Sequence, residues 1–237
     1  MSLPRSCIAC PKIENDCYDW YLRHESKCRA AKEKQADIIF IGDSITHFWV
    51  DEDGIGNGKE CWQEYYGSRN VLNLGFGFDR TQNMLWRITN GELENQNPKL
   101  IVINAGTNQF SVTPNYNGDS PEIAFAGVKQ LIKTLHQLLP GSEILVMAVF
   151  PRQPEEVHRQ AIDRLNQLLG VFLAGEGGRE NNARFLDITG QFRTPDGRFN
   201  SSLYADGVCH PNEAGYRIWA QALEPEIIRC LKQQPVL

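Results

Sequence analysis

From residue 36 onward the chain alternates between short β-branched, apolar runs and amphipathic stretches of helical period. The runs are Asp37–Gly42, Asn70–Leu74, Leu100–Ala105, Glu143–Val149 and Ala183–Ile188. Between and after them lie Thr81–Thr89, Pro121–Leu139, Glu155–Leu173 and Asn212–Lys232. Strands apolar on both faces, each followed by a helix, belong to a parallel sheet covered on both sides. The pattern predicts one three-layer α/β/α domain with right-handed crossovers. A chain of 237 residues buries such a core without help from metal or disulfides. The Gly-, Asn- and Pro-bearing segments Asp51–Gly58, Val112–Ser120 and Gly175–Asn182 read as surface connections. Residues 1–35 stand apart: they are charged, helix-prone over Tyr18–Lys34, and hold four of the seven cysteines. The expected organisation is therefore an N-terminal extension over 1–35 and one domain over 36–237.

Charge and apolar run length exclude several classes of partner. Lys and Arg number 24 against 29 Asp and Glu, a net charge of −5, with no basic run. Phosphate neutralisation needs clustered cations, so nucleic acid is not an expected partner, and the acidic balance suits an uncharged substrate. No stretch approaches the roughly 20 apolar residues that span a bilayer. Met1 to Cys7 lacks the apolar core of a signal peptide, which favours the cytoplasm. An expression scar at Met1-Ser2-Leu3 that replaced a leader would leave secretion open.

Open parallel sheets bind ligands beyond the carboxyl ends of their strands, near the point where strand order reverses. Chemistry is thus expected in Gly42-Asp43-Ser44, Gly75 to Asp79, Gly106 to Gln109, Phe150-Pro151-Arg152, and Asp206 to His210 before the last helix. Ser44 stands at a helix start, where free N–H groups favour a developing negative charge; a plain N-cap serine is the alternative. His210 precedes a Pro-initiated helix, with Asp206 four residues earlier, so the two can supply a base and the carboxylate that orients it. A surface histidine beside an Asp-Gly turn is the alternative. Asn108 can donate its amide toward the same crevice, or serve only as a turn residue. His24, His47, His136 and His158 fall in helical patterns and read as solvated or satisfied locally.

Taken together, Phe40-Ile41-Gly42-Asp43-Ser44-Ile45-Thr46, Gly106-Thr107-Asn108 and the segment from Asp206 to His210 resemble the SGNH, or GDSL-type, serine esterases. The resemblance covers roughly residues 36–225. Leu72 to Gly77 and Leu85 to Asn95 are similar to the catalytic subunits of the intracellular platelet-activating-factor acetylhydrolases, and bacterial acyl and carbohydrate esterases share the layout. It implies a flavodoxin-like, doubly wound sheet of five parallel strands. It also implies a Ser44, His210, Asp206 triad and an oxyanion hole built from Ser44, Phe78 and Asn108. The substrate would be a small-molecule ester, with an acetyl or other short acyl group expected because the chain has no room for a lid domain. No cofactor or metal is implied, and a homodimer is left open. Phe48, Trp49, Phe76 and Phe78 lie close enough in sequence to line the pocket. Two departures stand out. The family spaces its last block Asp-x-x-His, whereas Asp206 lies four residues before His210, so a one-residue bulge is expected to restore contact. The family's oxyanion glycine is replaced by Phe78, with Gly77 as the fallback donor.

Competing assignments are weaker. Position 46 is Thr, which breaks the Gly-x-Ser-x-Gly elbow, and position 80 is Arg, which breaks a dinucleotide fingerprint begun by Gly75-Phe76-Gly77. A non-catalytic esterase-like binding protein, or a lysophospholipase or thioesterase of the same fold, are the alternatives in function. Cys7, Cys10, Cys17 and Cys28 are compatible with a small zinc site, disulfides or free thiols. Cys61 and Cys230 read as buried or partly buried thiols, and Cys209 as a bystander beside His210.

Overall fold

The computed structural model describes residues 3–50, 52 and 54–232, so Met1, Ser2, Asp51, Asp53 and the last five residues lie outside the account. Met1 and Ser2 of the segment Met1-Ser2-Leu3, and Asp51 and Asp53 of the connection expected over Asp51–Gly58, thus fall outside the described residues. In chain order the elements are α1 (Trp20–Glu33), β1 (Ile38–Gly42), α2 (Ser44–His47), α3 (Lys59–Tyr66), β2 (Val71–Gly75), α4 (Thr81–Thr89) and β3 (Leu100–Asn104). There follow β4 (Val112–Thr113), β5 (Tyr116–Asn117), α5 (Pro121–Leu138), β6 (Glu143–Met147), α6 (Glu155–Ala174), α7 (Glu176–Glu180), β7 (Ala183–Leu186) and α8 (Glu213–Leu231). The main sheet has the order β2-β1-β3-β6-β7 and every pair in it is parallel. This is the expected doubly wound, flavodoxin-like arrangement.

Alternation along each strand divides the core in two. Ile39, Ile41, Ile101, Ile103, Ile144 and Val146 face one way, onto the apolar sides of α4, α5 and α6. Ile38, Phe40, Leu100, Val102, Leu145 and Met147 face the other way, onto α3 and α8. On that second face Phe40, Trp49, Tyr66, Tyr216 and Trp219 interlock through edge and stacked ring contacts. Side chains of this size bury most of the apolar area that holds a layer in place.

Three local expectations need correction. Val112–Ser120 contains the small antiparallel hairpin β4–β5, and Gly175–Asn182 contains α7; elements of two to five residues leave no periodicity to read. The eight-residue α3 went unanticipated because about two turns of helix fall short of the window in which a helical period can be read. His24, His47 and His158 are buried and not solvated. His24 meets Glu92 at 3.0 Å, 68 residues away, and His47 accepts a hydrogen bond from the Gly77 amide, so neither is satisfied locally.

Residues 3–35 pack onto the sheet's β2 side through side-chain hydrogen bonds to α4 and to the segment after β2. Asn83 donates to the Cys10 and Pro11 carbonyls, Arg80 pairs with Glu14, and Arg23 Nε donates to the Gly75 carbonyl at 3.0 Å. The four N-terminal cysteines form no disulfide. At the focus lies Arg87, fully buried, which donates from Nε to Asp79 at 2.6 Å, from Nη1 to Glu92, and from Nη2 to the Leu74 carbonyl at 3.2 Å. Its guanidinium also sits 3.9 Å over the Phe76 ring. Removing one side of such a pair strands buried charge. Arg87→Met should therefore cost about 3–5 kcal/mol, measured as a loss of urea-unfolding free energy; a change below the error of that measurement would show that the cluster bears no weight.

Candidate active site

Register sets the site. Gly42 lies opposite both Gly75 of β2 and Asn104 of β3, so three neighbouring strands end at one height. The segments that leave them carry Ser44, Phe78 and Asn108. The order β2-β1-β3 also places the switch point at β1, where doubly wound sheets open a crevice.

Ser44 is the first residue of α2. The N-cap is Asp43, whose Oδ1 accepts the Ile45 amide at 2.9 Å, so the capping alternative for Ser44 does not apply and its hydroxyl is left for other partners. Ser44 Oγ lies 2.9 Å from His210 Nε2, and His210 Nδ1 lies 2.6 Å from Asp206 Oδ2. The loop carrying the last two residues is clamped at its base. The Ala205 amide donates to the His210 carbonyl at 2.8 Å and the Asn212 amide to the Leu203 carbonyl at 2.9 Å. Within it, Asp206 Oδ1 accepts the Val208, Cys209 and His210 amides at 2.8, 2.9 and 3.2 Å. The extra residue relative to Asp-x-x-His is taken up at Gly207, whose φ of +67° a glycine adopts without steric cost. Partial burial works against the Asp206 charge, but the Val208 and Cys209 amides and His210 outweigh it and hold the carboxyl below its usual range. Cys209 Sγ stands 3.7 and 3.8 Å from the two His210 nitrogens, and burial pushes its thiol up to about 12, so it stays protonated.

The loop after β2 is held on several sides. Tyr18 donates to the Gly77 carbonyl at 3.1 Å, and Trp20 Nε1 donates to Asp79 Oδ1 at 2.7 Å. His47 Nδ1 accepts the Gly77 amide at 3.3 Å. Burial, reinforced by Arg23, Lys27 and Arg87, keeps that imidazole far below its ordinary pKa and hence neutral, as an acceptor must be. Gly77 is thereby removed as the fallback donor. Phe78 adopts φ +59°, and its amide, like that of Ser44, has no acceptor among the described residues. Asn108 uses one amide hydrogen on the Asp79 carbonyl at 3.1 Å and keeps a second.

Ser44, Phe48, Phe78, Asn108 and His210 line a crevice of about 110 Å³, together with Asp16, Ser111, Arg152 and Cys209. Trp49 and Phe76, expected near it, are core residues with no exposed surface. Asp16 and Ser111 went unrecognised in the sequence, since neither lies just beyond a sheet strand and only the fold carries Asp16 there. A larger cleft of about 570 Å³, bordered by Tyr18, Arg23, Lys27 and Glu52, shares no residue with this set.

Asp43 is fully buried with Oδ2 unpartnered, and burial pushes its carboxyl up to about 7. The unfolded chain ionises it near pH 4, so its contribution is complete below pH 4 and lost as pH rises to 7. Wild-type protein should lose on the order of 4 kcal/mol more unfolding free energy than Asp43→Asn between pH 4 and pH 7. Urea titrations of both proteins across that range check it, and parallel curves would refute it.

A model of the GDSL-like Lipase/Acylhydrolase family matches residues 40–218. The human platelet-activating factor acetylhydrolase IB subunit alpha2 is 31% identical over 218 residues, which cover 91% of this chain and 86% of that one. The bovine alpha1 subunit is 30% identical over 215 residues, covering 90% and 84%. Among solved structures, a GDSL-like lipase from Bacteroides thetaiotaomicron superposes with TM-score 0.63 at 19% identity, covering 88% of this chain and 97% of that one. A catalytic mutant of an acetylxylan esterase from Geobacillus stearothermophilus gives 0.60 at 19%, covering 81% and 94%. Both likenesses concern the fold.

Proposed function

Since the chain belongs to the GDSL-like lipase/acylhydrolase family and is a carboxylic ester hydrolase, we propose that it cleaves short acyl esters, acetyl foremost, through Ser44, His210 and Asp206. The observation that carries this reading is the continuous path from Ser44 Oγ to His210 Nε2 and from His210 Nδ1 to Asp206. Ser44 attacks the ester carbonyl while His210 accepts its proton, then returns it to the departing alcohol. Water repeats the sequence on the acyl-enzyme. Asp206 keeps the imidazole in the tautomer with Nδ1–H and stabilises the imidazolium. The amides of Ser44 and Phe78 and the second amide hydrogen of Asn108 face the developing oxyanion.

The short acyl preference rests on the crevice. At about 30 Å³ per water, its 110 Å³ holds a few heavy atoms beside Phe48 and Phe78. The acetyl chemistry named for the relatives agrees with that size. The segment before residue 36 belongs with this unit, because Tyr18 and Trp20 hold the loop that presents the Phe78 amide.

A series of p-nitrophenyl esters from acetate to palmitate tests the assignment. Acetate should lead, with kcat/KM falling roughly ten-fold or more once the chain exceeds the crevice. Ser44→Ala should lose roughly 10³-fold or more, Asn108→Ala about 10²–10³ and Asp206→Asn up to about 10⁴. Full activity in Ser44→Ala would end the esterase mechanism, and a palmitate or thioester optimum would favour the lysophospholipase or thioesterase alternative. Phe78→Gly should move the optimum toward longer acyl chains while relieving about 1 kcal/mol of left-handed backbone strain; an unmoved optimum would remove Phe78 from the acyl wall.

A further inference from the structure

Arg152 follows β6 and lines the crevice with Ser44, Asn108 and His210. Among the described residues, every other buried or half-buried arginine pairs with a carboxylate: Arg23 with Glu52, Arg69 with Glu224, Arg80 with Glu14, Arg87 with Asp79 and Glu92, Arg184 with Glu143, Arg193 with Glu155 and Arg217 with Glu64. Arg152 has no described carboxylate within 4.0 Å. Its contacts all come from Nη1, at 3.4 Å to the Thr107 carbonyl and hydroxyl and 3.3 Å to Ser111 Oγ. These are long hydrogen bonds to neutral groups, enough to aim the guanidinium but not to neutralise it. Nε is closed to water and has no acceptor. Nη2 makes no described hydrogen bond and is not closed to water, so it is the donor left for an oxygen of a carboxylate or phosphate.

The neighbours of Arg152 say which part of the substrate would meet that donor. The Gln153 amide donates to the Val208 carbonyl at 3.0 Å, and Tyr204 donates to the Pro151 carbonyl at 2.8 Å. The segment bearing Arg152 is thus tied to the loop that presents His210, the group that protonates the departing alcohol. Phe48 and Phe78 supply the apolar wall, and Phe78 belongs to the β2 end of the crevice, beyond Ser44 from β6. The remaining charged side chain on the wall facing that end is Asp16, whose Oδ1 accepts the Cys17 amide and whose Oδ2 stands against Gly77. A negative group is repelled from the Gly77 side and attracted to the β6 side. The chain's net charge of −5 does not overrule this, because screening confines such interactions to about 8–10 Å.

Resting on the esterase reading above, we propose that Arg152 is a specificity residue that binds an anionic oxygen group, phosphate or carboxylate, carried by the alcohol half of the ester. The test compares matched substrates: 1-acetylglycerol 3-phosphate against 1-acetylglycerol, and O-acetyl-lactate against its neutral amide. Wild type should favour at least one charged member by roughly 10- to 100-fold in kcat/KM, as expected for a charge-assisted contact. The pair with the larger ratio identifies phosphate or carboxylate as the group. In Arg152→Gln the ratio should fall toward one, mainly through KM, and Arg152→Lys, which keeps the charge but not the guanidinium aimed by Thr107 and Ser111, should retain an intermediate ratio. Added salt should erode the wild-type preference. A wild-type ratio of one or less for both pairs, or an equal loss on charged and neutral esters in Arg152→Gln, would overturn the proposal. Ser44-dependent hydrolysis of the neutral esters would leave the esterase reading standing in that case.

Discussion

Parallel pairing at one height is the constraint on which the rest of this molecule depends. Gly42 faces Gly75 on one side and Asn104 on the other, so the chain leaves three adjacent strands at the same level. That level is not set at the site. It is set by the alternation of Ile38 and Phe40 toward one helical layer and Ile39 and Ile41 toward the other. A slip of one residue would turn each strand's whole set of side chains onto the opposite face. The two aromatic and aliphatic cores therefore hold the spacing of Ser44, Phe78 and Asn108 without touching any reacting atom.

Register brings these segments together but does not shape them. The loop after β2 is shaped by groups from distant parts of the chain: Tyr18 and Trp20 ahead of β1, His47 in α2, and Arg87 in α4. Burying a guanidinium together with the carboxyls of Asp79 and Glu92 gains little or nothing over well-packed apolar residues. The benefit is positional. A guanidinium that bonds Asp79 and the Leu74 carbonyl while covering Phe76 leaves the intervening backbone few alternatives. Neutral His47 completes the arrangement by engaging the Gly77 amide, while the next amide, that of Phe78, has no acceptor among the described residues.

Much of this could be read from residues alone, and the limits have a physical pattern. The five strands were legible because strands buried on both faces are continuous apolar runs, and their helices match the expected spans to within two residues at either end. Ser44, Asn108 and His210 were legible because topology assigns chemistry to the ends of strands and to the loop before α8. What stayed hidden depends on contacts between residues far apart in the chain. Trp20 meets Asp79 across 59 positions, His24 meets Glu92 across 68, and Asp16 reaches the crevice from a segment expected to stand outside it. His47 was hidden differently: a helical pattern four residues long does not say which of its faces is buried. The segment Phe150-Pro151-Arg152 was marked as a place for chemistry, but only the fold shows Arg152 on the crevice wall with no described carboxylate within ion-pair distance.

The two departures from the family pattern illustrate opposite uses of the left-handed region. At Gly207 the extra residue in the loop is absorbed by a glycine, for which φ of +67° carries no side-chain clash, and Asp206 then closes the turn by accepting three successive amides. The loop is longer, yet the carboxylate meets the imidazole at 2.6 Å. At Phe78 the reverse holds: a bulky residue occupies a conformation that costs it about 1–2 kcal/mol. Such strain persists only where the surroundings over-determine the backbone. Here the preceding residue is held by His47 and Tyr18 and the following one by Trp20, Arg87 and Asn108. What the substitution adds is a ring on the wall of a crevice of about 110 Å³, an apolar surface that a glycine at the same backbone angle would not supply.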